Sequence, residues 1–121
     1  DYYCIEFYFD EKGRSQARDY MTKSLTSEEV RKFMQLLVMM GDLGHIRNKE
    51  KFRNEGDKIY AFKPKPHRLL CFFVEGRKII ISNAFTKKQQ KLPSGEKSKA
   101  LKCMQDYQIR VKKGTYYGTE G

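Results

Sequence analysis

Residues 58–91 read KIYAFKPKPHRLLCFFVEGRKIIISNAFTKKQQK and hold two apolar runs, Leu69–Val74 and Ile79–Ile81. Each run is too short for a typical globular helix and is rich in β-branched or aromatic residues. Glu75-Gly76 between them supplies the glycine that a tight turn needs, so the stretch is predicted to fold as a β-hairpin. Cations bracket it: Lys63, Lys65 and Arg68 at its entrance, Lys87, Lys88 and Lys91 at its exit. An antiparallel pair brings entrance and exit together in space. The two clusters are therefore expected to form one basic site on one edge of a sheet. Any single lysine there is ordinary solubilising charge. One sign concentrated at one edge is the usual footprint of a polyanionic partner.

The whole chain leans the same way. It has 121 residues and a formal net charge of +10, with a pI of about 9.6. That length fits one domain with one core, read here as residues 1–121 with a frayed tail at 114–121. The charge favours a nucleic acid or an acidic protein as partner. No segment approaches the roughly 20 apolar residues that span a bilayer. The opening DYYCIEF lacks a basic stretch followed by an apolar one, so no signal peptide is read, and the missing initiator Met leaves an upstream start open. Cys4, Cys71 and Cys103 are scattered and odd in number, and are read as reduced, mostly buried thiols of a cytoplasmic protein. With only His45 and His67 to join them, no metal site is expected.

Outward from the hairpin, Ile59–Lys63 reads as a short strand. Pro64 and Pro66 cannot donate to a ladder, so KPKPH is expected to be a stiff, extended loop. At the N-terminus, Tyr3, Ile5, Phe7 and Phe9 share one face of a strand, with Glu6 and Tyr8 on the other. Ser15 caps a short helix. Thr26 and Glu29 form a capping box ahead of a longer one. That helix carries Val30, Phe33, Met34 and Leu37 as its stripe. Leu36, Val38, Met39 and Met40 widen the stripe enough to predict burial on more than one side, and Gly41 ends it. Residues 41–57 are polar and glycine-punctuated, a long connection. Pro93 and Ser94, the latter as N-cap, open a last helix with Ala100, Met104, Tyr107 and Val111 toward the core, ending at Lys112-Lys113-Gly114. The predicted order is β-α-α-β-β-β-α: an α+β fold with a mostly antiparallel four-stranded sheet and helices packed against it.

Residues 58–93 also resemble the core block of the phage-derived, HigB-like toxins of the RelE superfamily. That block runs from a strand ending in Leu/Phe-Glu-Leu-Arg, through Tyr-Arg and a hydrophobic strand, to a Phe-x-Lys-Lys motif and a Lys-Thr-Pro opening the final helix. Here Ala61-Phe62-Lys63 stands for Glu-Leu-Arg and His67-Arg68 for Tyr-Arg. Phe85-Thr86-Lys87-Lys88 matches Phe-x-Lys-Lys, Lys91-Leu92-Pro93 matches Lys-Thr-Pro with one change, and Ala100 matches the usual helix alanine. YCIEFYFDEKGRS is similar to the opening strand and turn, so the resemblance spans residues 2–110. It implies a RelE-like fold and the toxin of a type II toxin–antitoxin pair, cleaving mRNA on the ribosome without metal or organic cofactor. The implied partners are mRNA, the ribosome and a cognate antitoxin, a helix-turn-helix protein.

Metal-free RNA cleavage uses the substrate 2′-hydroxyl as nucleophile. It needs a base for that hydroxyl, cations for the charge on the phosphorane, and an acid for the 5′-oxygen. Arg68 suits the phosphate because its planar fork binds two oxygens and keeps its charge. Lys87 and Lys88 supplement it. Two bases are open: a lysine of this cluster depressed by its neighbouring cations, or His67, whose ordinary pKa needs no shift. Strand parity puts His67 and Arg68 on opposite faces, unless Pro66 breaks the regularity. The candidate catalytic set is thus Lys63, His67, Arg68, Lys87 and Lys88. Lys65, Asn83, Phe85 and Lys91 complete the RNA-binding set. For Arg68 the structural alternative is an ion pair with Glu6 or Asp57. For the whole patch the alternatives are a non-catalytic RNA- or protein-binding module, or a phage protein that inhibits a host factor by contact.

Overall fold

The computed structural model describes residues 2–88 and 92–117. Four elements precede the predicted central block: β1 (Cys4–Phe7), α1 (Gln16–Ser24), α2 (Ser27–Leu43) and β2 (Phe52–Gly56). The block itself supplies β3 (Ile59–Phe62), β4 (His67–Val74) and β5 (Lys78–Thr86), and α3 (Ser94–Lys113) follows. The strands form one sheet in the order β1-β5-β4-β3-β2. β4 and β5 are the predicted hairpin, paired from His67 opposite Thr86 to Val74 opposite Lys78 with one register shift between Leu70 and Cys71. Gly76 and Arg77 turn the chain at φ 84° and 56°.

Alternation along these strands decides the two layers. Phe62, Leu69, Cys71, Ile79 and Ile81 point to the side covered by α1 and α2, where they meet Ala17, Phe33, Leu36 and Met40. Ile59, Ala61, Leu70, Phe72 and Ile80 point to the side covered by α3, where they meet Ala100 and Tyr107. Both faces of the central strands are therefore buried, which accounts for their near-continuous apolar runs. Phe33, Phe62 and Phe72 are fully enclosed; replacing Phe33 by Ala is expected to cost about 3–5 kcal/mol.

The sheet departs from the predicted one in two respects. It has five strands, because Phe52–Gly56 lies inside the stretch read as a connection and pairs antiparallel with β3. Asp57 and Lys58 join the two at φ 54° and 69°, a left-handed pair that usually calls for Asn-Gly. The sheet is also mixed, since β1 runs parallel to β5 at the opposite edge.

Helix ends differ as well. Ser15 accepts from the Arg18 amide, and Thr26 and Glu29 exchange both capping-box bonds as predicted. α2 continues past Gly41 to a left-handed cap at Gly44, φ 81°. Gly41 is needed for closeness instead: its carbonyl accepts from Tyr2 and from Tyr3 at 2.9 Å, and a Cβ there would sit 3.3 Å from the Tyr3 carbonyl oxygen. Met34, Val38 and Met39 are exposed, so α2 is buried along one stripe only. In α3, Pro93 rather than Ser94 holds the N-cap position, and Val111 is exposed. The tail reading fails at Tyr116 and Tyr117. The Tyr116 hydroxyl accepts from the Phe9 amide at 3.0 Å and its ring stacks on Tyr8, while the Tyr117 hydroxyl donates to Glu6 at 2.8 Å. Residues 118–121 lie outside the described residues.

Candidate nucleic-acid interface

The candidate site lies where the α3-side face of the sheet runs out beyond the helix. Arg68 pairs with Phe85 across the hairpin, and the Lys87 amide donates to the Pro66 carbonyl at 3.0 Å. Entrance and exit of the hairpin therefore adjoin. Lys63 directly follows β3, and its ammonium donates to the Lys49 carbonyl at 3.0 Å. Arg53, opposite Ala61, brings β2 into the group. Burial first, then the charges of Arg68, Lys87 and Arg53, hold the Lys63 ammonium below its ordinary pKa; Glu55 opposes this weakly. Burial likewise lowers Arg68, again against Glu55. The site is a half-buried cluster of like charge, which raises its affinity for an anion.

Arg68 is only partly satisfied. One terminal nitrogen donates to the His67 carbonyl at 2.9 Å, and the buried Nε has no hydrogen-bond partner among the described residues. The two anions that would have given it a structural role are engaged elsewhere: Glu6 with Lys78 at 3.8 Å and with Tyr117, Asp57 with Lys97 at 2.8 Å. A buried donor without a partner is costly unless something occupies it.

His67 stands apart, on the face that parity predicts. Only 5% exposed, it packs edge-on to Tyr20, whose hydroxyl is 2.7 Å from Nδ1 and also bonds Thr86. Its Nε2 lies 3.0 Å from Glu29 Oε1, without the alignment of a full hydrogen bond. The imidazole is thus aimed at the start of α2, with the sheet between it and the cationic cluster. Pro66, in a cis peptide within a turn, does not shift its parity.

The remaining residues divide. Lys87 is half-buried and Lys88 exposed at the hairpin exit. Lys65 is exposed and 3.6 Å from Glu50. Asn83 and Phe85 do not present themselves to a ligand. Asn83 accepts from Ser82 at 2.7 Å and donates to the Glu96 backbone and side chain at 3.1 Å. Phe85, 8% exposed, belongs to the core under α3. Lys91 lies outside the described residues. Sequence reasoning missed Arg53, because it missed the strand that carries it. It also missed Tyr20 and Glu29 as the groups that hold His67.

The sequence matches the family described as "Phage derived protein Gp49-like" over residues 21–105. The chain belongs to the Gp49-like phage-derived family. No curated protein matches it. In fold, this Gp49-like chain is similar to a chain of the archaeal RelE–RelB complex from Pyrococcus horikoshii OT3, at a TM-score of 0.56 and 16% identity, over 74% of this chain and 99% of that one. The match places it in a RelE-like architecture. Among the described residues no group of His, Cys, Asp and Glu is arranged to hold a metal ion, and no helix is long and apolar enough to cross a membrane. Of the cysteines, Cys71 is buried, Cys103 half-buried with its thiol pushed up to about 11 by burial, and Cys4 exposed, contrary to the mostly buried set expected.

Proposed function

We propose that this chain is the toxin of a type II toxin–antitoxin pair, HigB-like in its details, and that it cleaves mRNA on the ribosome. The observation that carries the reading is the convergence of Arg53, Lys63, Arg68 and Lys87 on one open end of the sheet, with the Arg68 Nε unpartnered among the described residues. The Gp49-like family and the RelE-like fold support it, and the solved relative is in complex with RelB.

In this mechanism the scissile phosphate sits against the accessible part of the Arg68 guanidinium, while Lys87 and Lys88 supply further charge. Fixed cations aimed at the phosphorane are the largest contribution. Lys63 is the base. Its lowered pKa makes the neutral amine more accessible than in an ordinary lysine, and the charges of Arg68 and Lys87 act on it. The acid for the leaving oxygen is one of the protonated lysines. His67 is a positioning residue for α1 and α2 rather than a base, since the sheet separates it from Arg68. Lys65, exposed at the hairpin entrance, adds charge beside the phosphate site. A cognate antitoxin of helix-turn-helix type silences the site.

One observation favours a second reading. The only described histidine near the patch, His67, faces away from it, as a basic module that binds RNA without cutting it would allow. Induced expression with mapping of cellular mRNA 5′ ends separates the two. New codon-phased ends support the nuclease; growth arrest without them leaves binding.

A further inference from the structure

A basic groove of about 590 Å³ opens at the β2 edge of the sheet, with Ile46, Arg47, Lys49, Phe52, Arg53 and Tyr60 among its walls. Its floor is aromatic. Phe52 on β2 and Tyr60 on β3 are half-buried, with rings within 7° of parallel and centroids 5.6 Å apart. Phe73 stands edge-on to both, at 6.4 and 5.0 Å, which fixes their tilt. Packing against the core thus accounts for one side of the pair, and the groove leaves part of each ring accessible. Arg47, Lys49 and Arg53 are exposed around them. Among the described residues no acidic side chain lines the groove.

We infer that this groove is a stacking subsite for an unpaired nucleobase of single-stranded RNA whose backbone is held at the cationic cluster. The inference rests on the RNA reading and extends its footprint beyond the cluster. Aromatic rings flanked by cations hold single strands with little regard to sequence, because every base has a face to stack and the backbone follows the charge. An acidic peptide would use the cations and leave the rings idle. The groove joins the cluster at two points. Arg53 lines the groove, and its charge acts on the Lys63 ammonium. Lys49 lines it as well, and its carbonyl accepts from that ammonium at 3.0 Å. Phe52 pairs with Phe62, whose side chain belongs to the α1–α2 side, and Arg53 pairs with Ala61, whose side chain belongs to the α3 side. The edge strand therefore turns a ring to one face and a cation to the other. A strand of RNA that wraps this edge passes from the phosphate site to the rings.

The test measures binding of two labelled 2′-O-methyl RNA oligomers of about ten nucleotides to the full chain. Neither has the free 2′-hydroxyl that cleavage needs. One carries all its bases; the other is abasic and keeps only the sugar-phosphate backbone. The wild type is expected to bind the intact oligomer about ten-fold or more tighter than the abasic one. Phe52→Leu and Tyr60→Leu, checked by melting temperature, should weaken the intact oligomer and leave the abasic one within about two-fold. Tyr60→Phe keeps the ring and should bind as the wild type does. On the wild type, ultraviolet cross-linking of an intact oligomer carrying thiouridine should map to Phe52 or Tyr60, a readout that needs no variant to fold. Equal wild-type affinity for the two oligomers, a preference that survives both leucine variants, or cross-links confined to other residues overturns the subsite while the RNA reading stands. Equal loss of both oligomers in the leucine variants shows that the rings only support the fold, and overturns it too. A wild-type chain that binds neither oligomer refutes the RNA reading, and the subsite with it.

Discussion

Arg68 differs from the lysines around it in what it leaves unsatisfied. Its Nε is buried without a partner among the described residues, while its charge is held in place by a bond to the His67 carbonyl. A lysine at this position would keep the charge and lose the fork. Arg68→Lys is therefore expected to leave RNA affinity nearly unchanged. If the fork tightens on the phosphorane, the loss falls on the transition state, about 10²–10³ in cleavage rate. Lys88→Arg should be milder, one point charge replacing another. Lys63 makes a separate prediction. Burial and its cationic neighbours lower its pKa, so cleavage should rise with pH and level off below the ordinary lysine value of 10.5. Lys63→Arg should abolish that rise; an unchanged profile removes Lys63 as the base. The sign for stability follows from the same shift. The unfolded chain holds this proton more tightly, so stability increases with pH from the folded pKa up to 10.5. Parity was legible in the sequence for Arg68 and His67, because alternate residues of a strand face opposite ways. The burial of Asn83 and Phe85 was not, because where α3 lies over β5 is a tertiary fact.

At the scale of elements, the start of α2 is the joint between helices and sheet. Thr26 caps it, and Glu29 bonds back to the Thr26 amide and reaches His67 on β4. Thr26→Ala is expected to cost about 1 kcal/mol by denaturant unfolding. Glu29 is held below its ordinary pKa of 4.5 by the Thr26 amide first and His67 second. Its contribution is present above 4.5 and is lost as pH falls through the lower folded value. Acid unfolding of Glu29→Gln should therefore lack this component, and a melting curve as steep with pH as the wild type would contradict it. His67→Gln should lower the melting temperature while leaving cleavage per folded molecule intact. Elements with local signals were readable: the capping box, the Ser15 cap, the β4–β5 hairpin. β2 was not, since FRNEG holds one apolar side chain and its turn, Asp57-Lys58, takes left-handed angles without the usual residues. Gly41 misled for a related reason. A glycine demanded by close approach to the Tyr3 backbone looks, in sequence, like a glycine that ends a helix.

For the whole molecule, β-strand alternation and two helical layers create two faces with different uses. The α1–α2 side holds His67, and Arg68, its neighbour on β4, faces the α3 side. The parallel pairing of β1 with β5 could not be read locally, because it joins segments more than 70 residues apart. If the cluster neutralises RNA phosphates, affinity must fall steeply with salt through counterion release. Removing the charge of Lys87 or Lys88 should shallow that slope by about one unit or less. Lys65, paired with Glu50, should change it less. An affinity indifferent to salt would contradict an electrostatic site. The central claim is tested most directly by single-turnover cleavage of ribosome-bound mRNA by the wild-type chain and Arg68→Lys, with RNA affinity and melting temperature measured on the same preparations. The account predicts a cleavage rate reduced by about 10²–10³ at nearly unchanged affinity and stability. Unchanged cleavage with a lowered melting temperature would show that Arg68 only supports the fold.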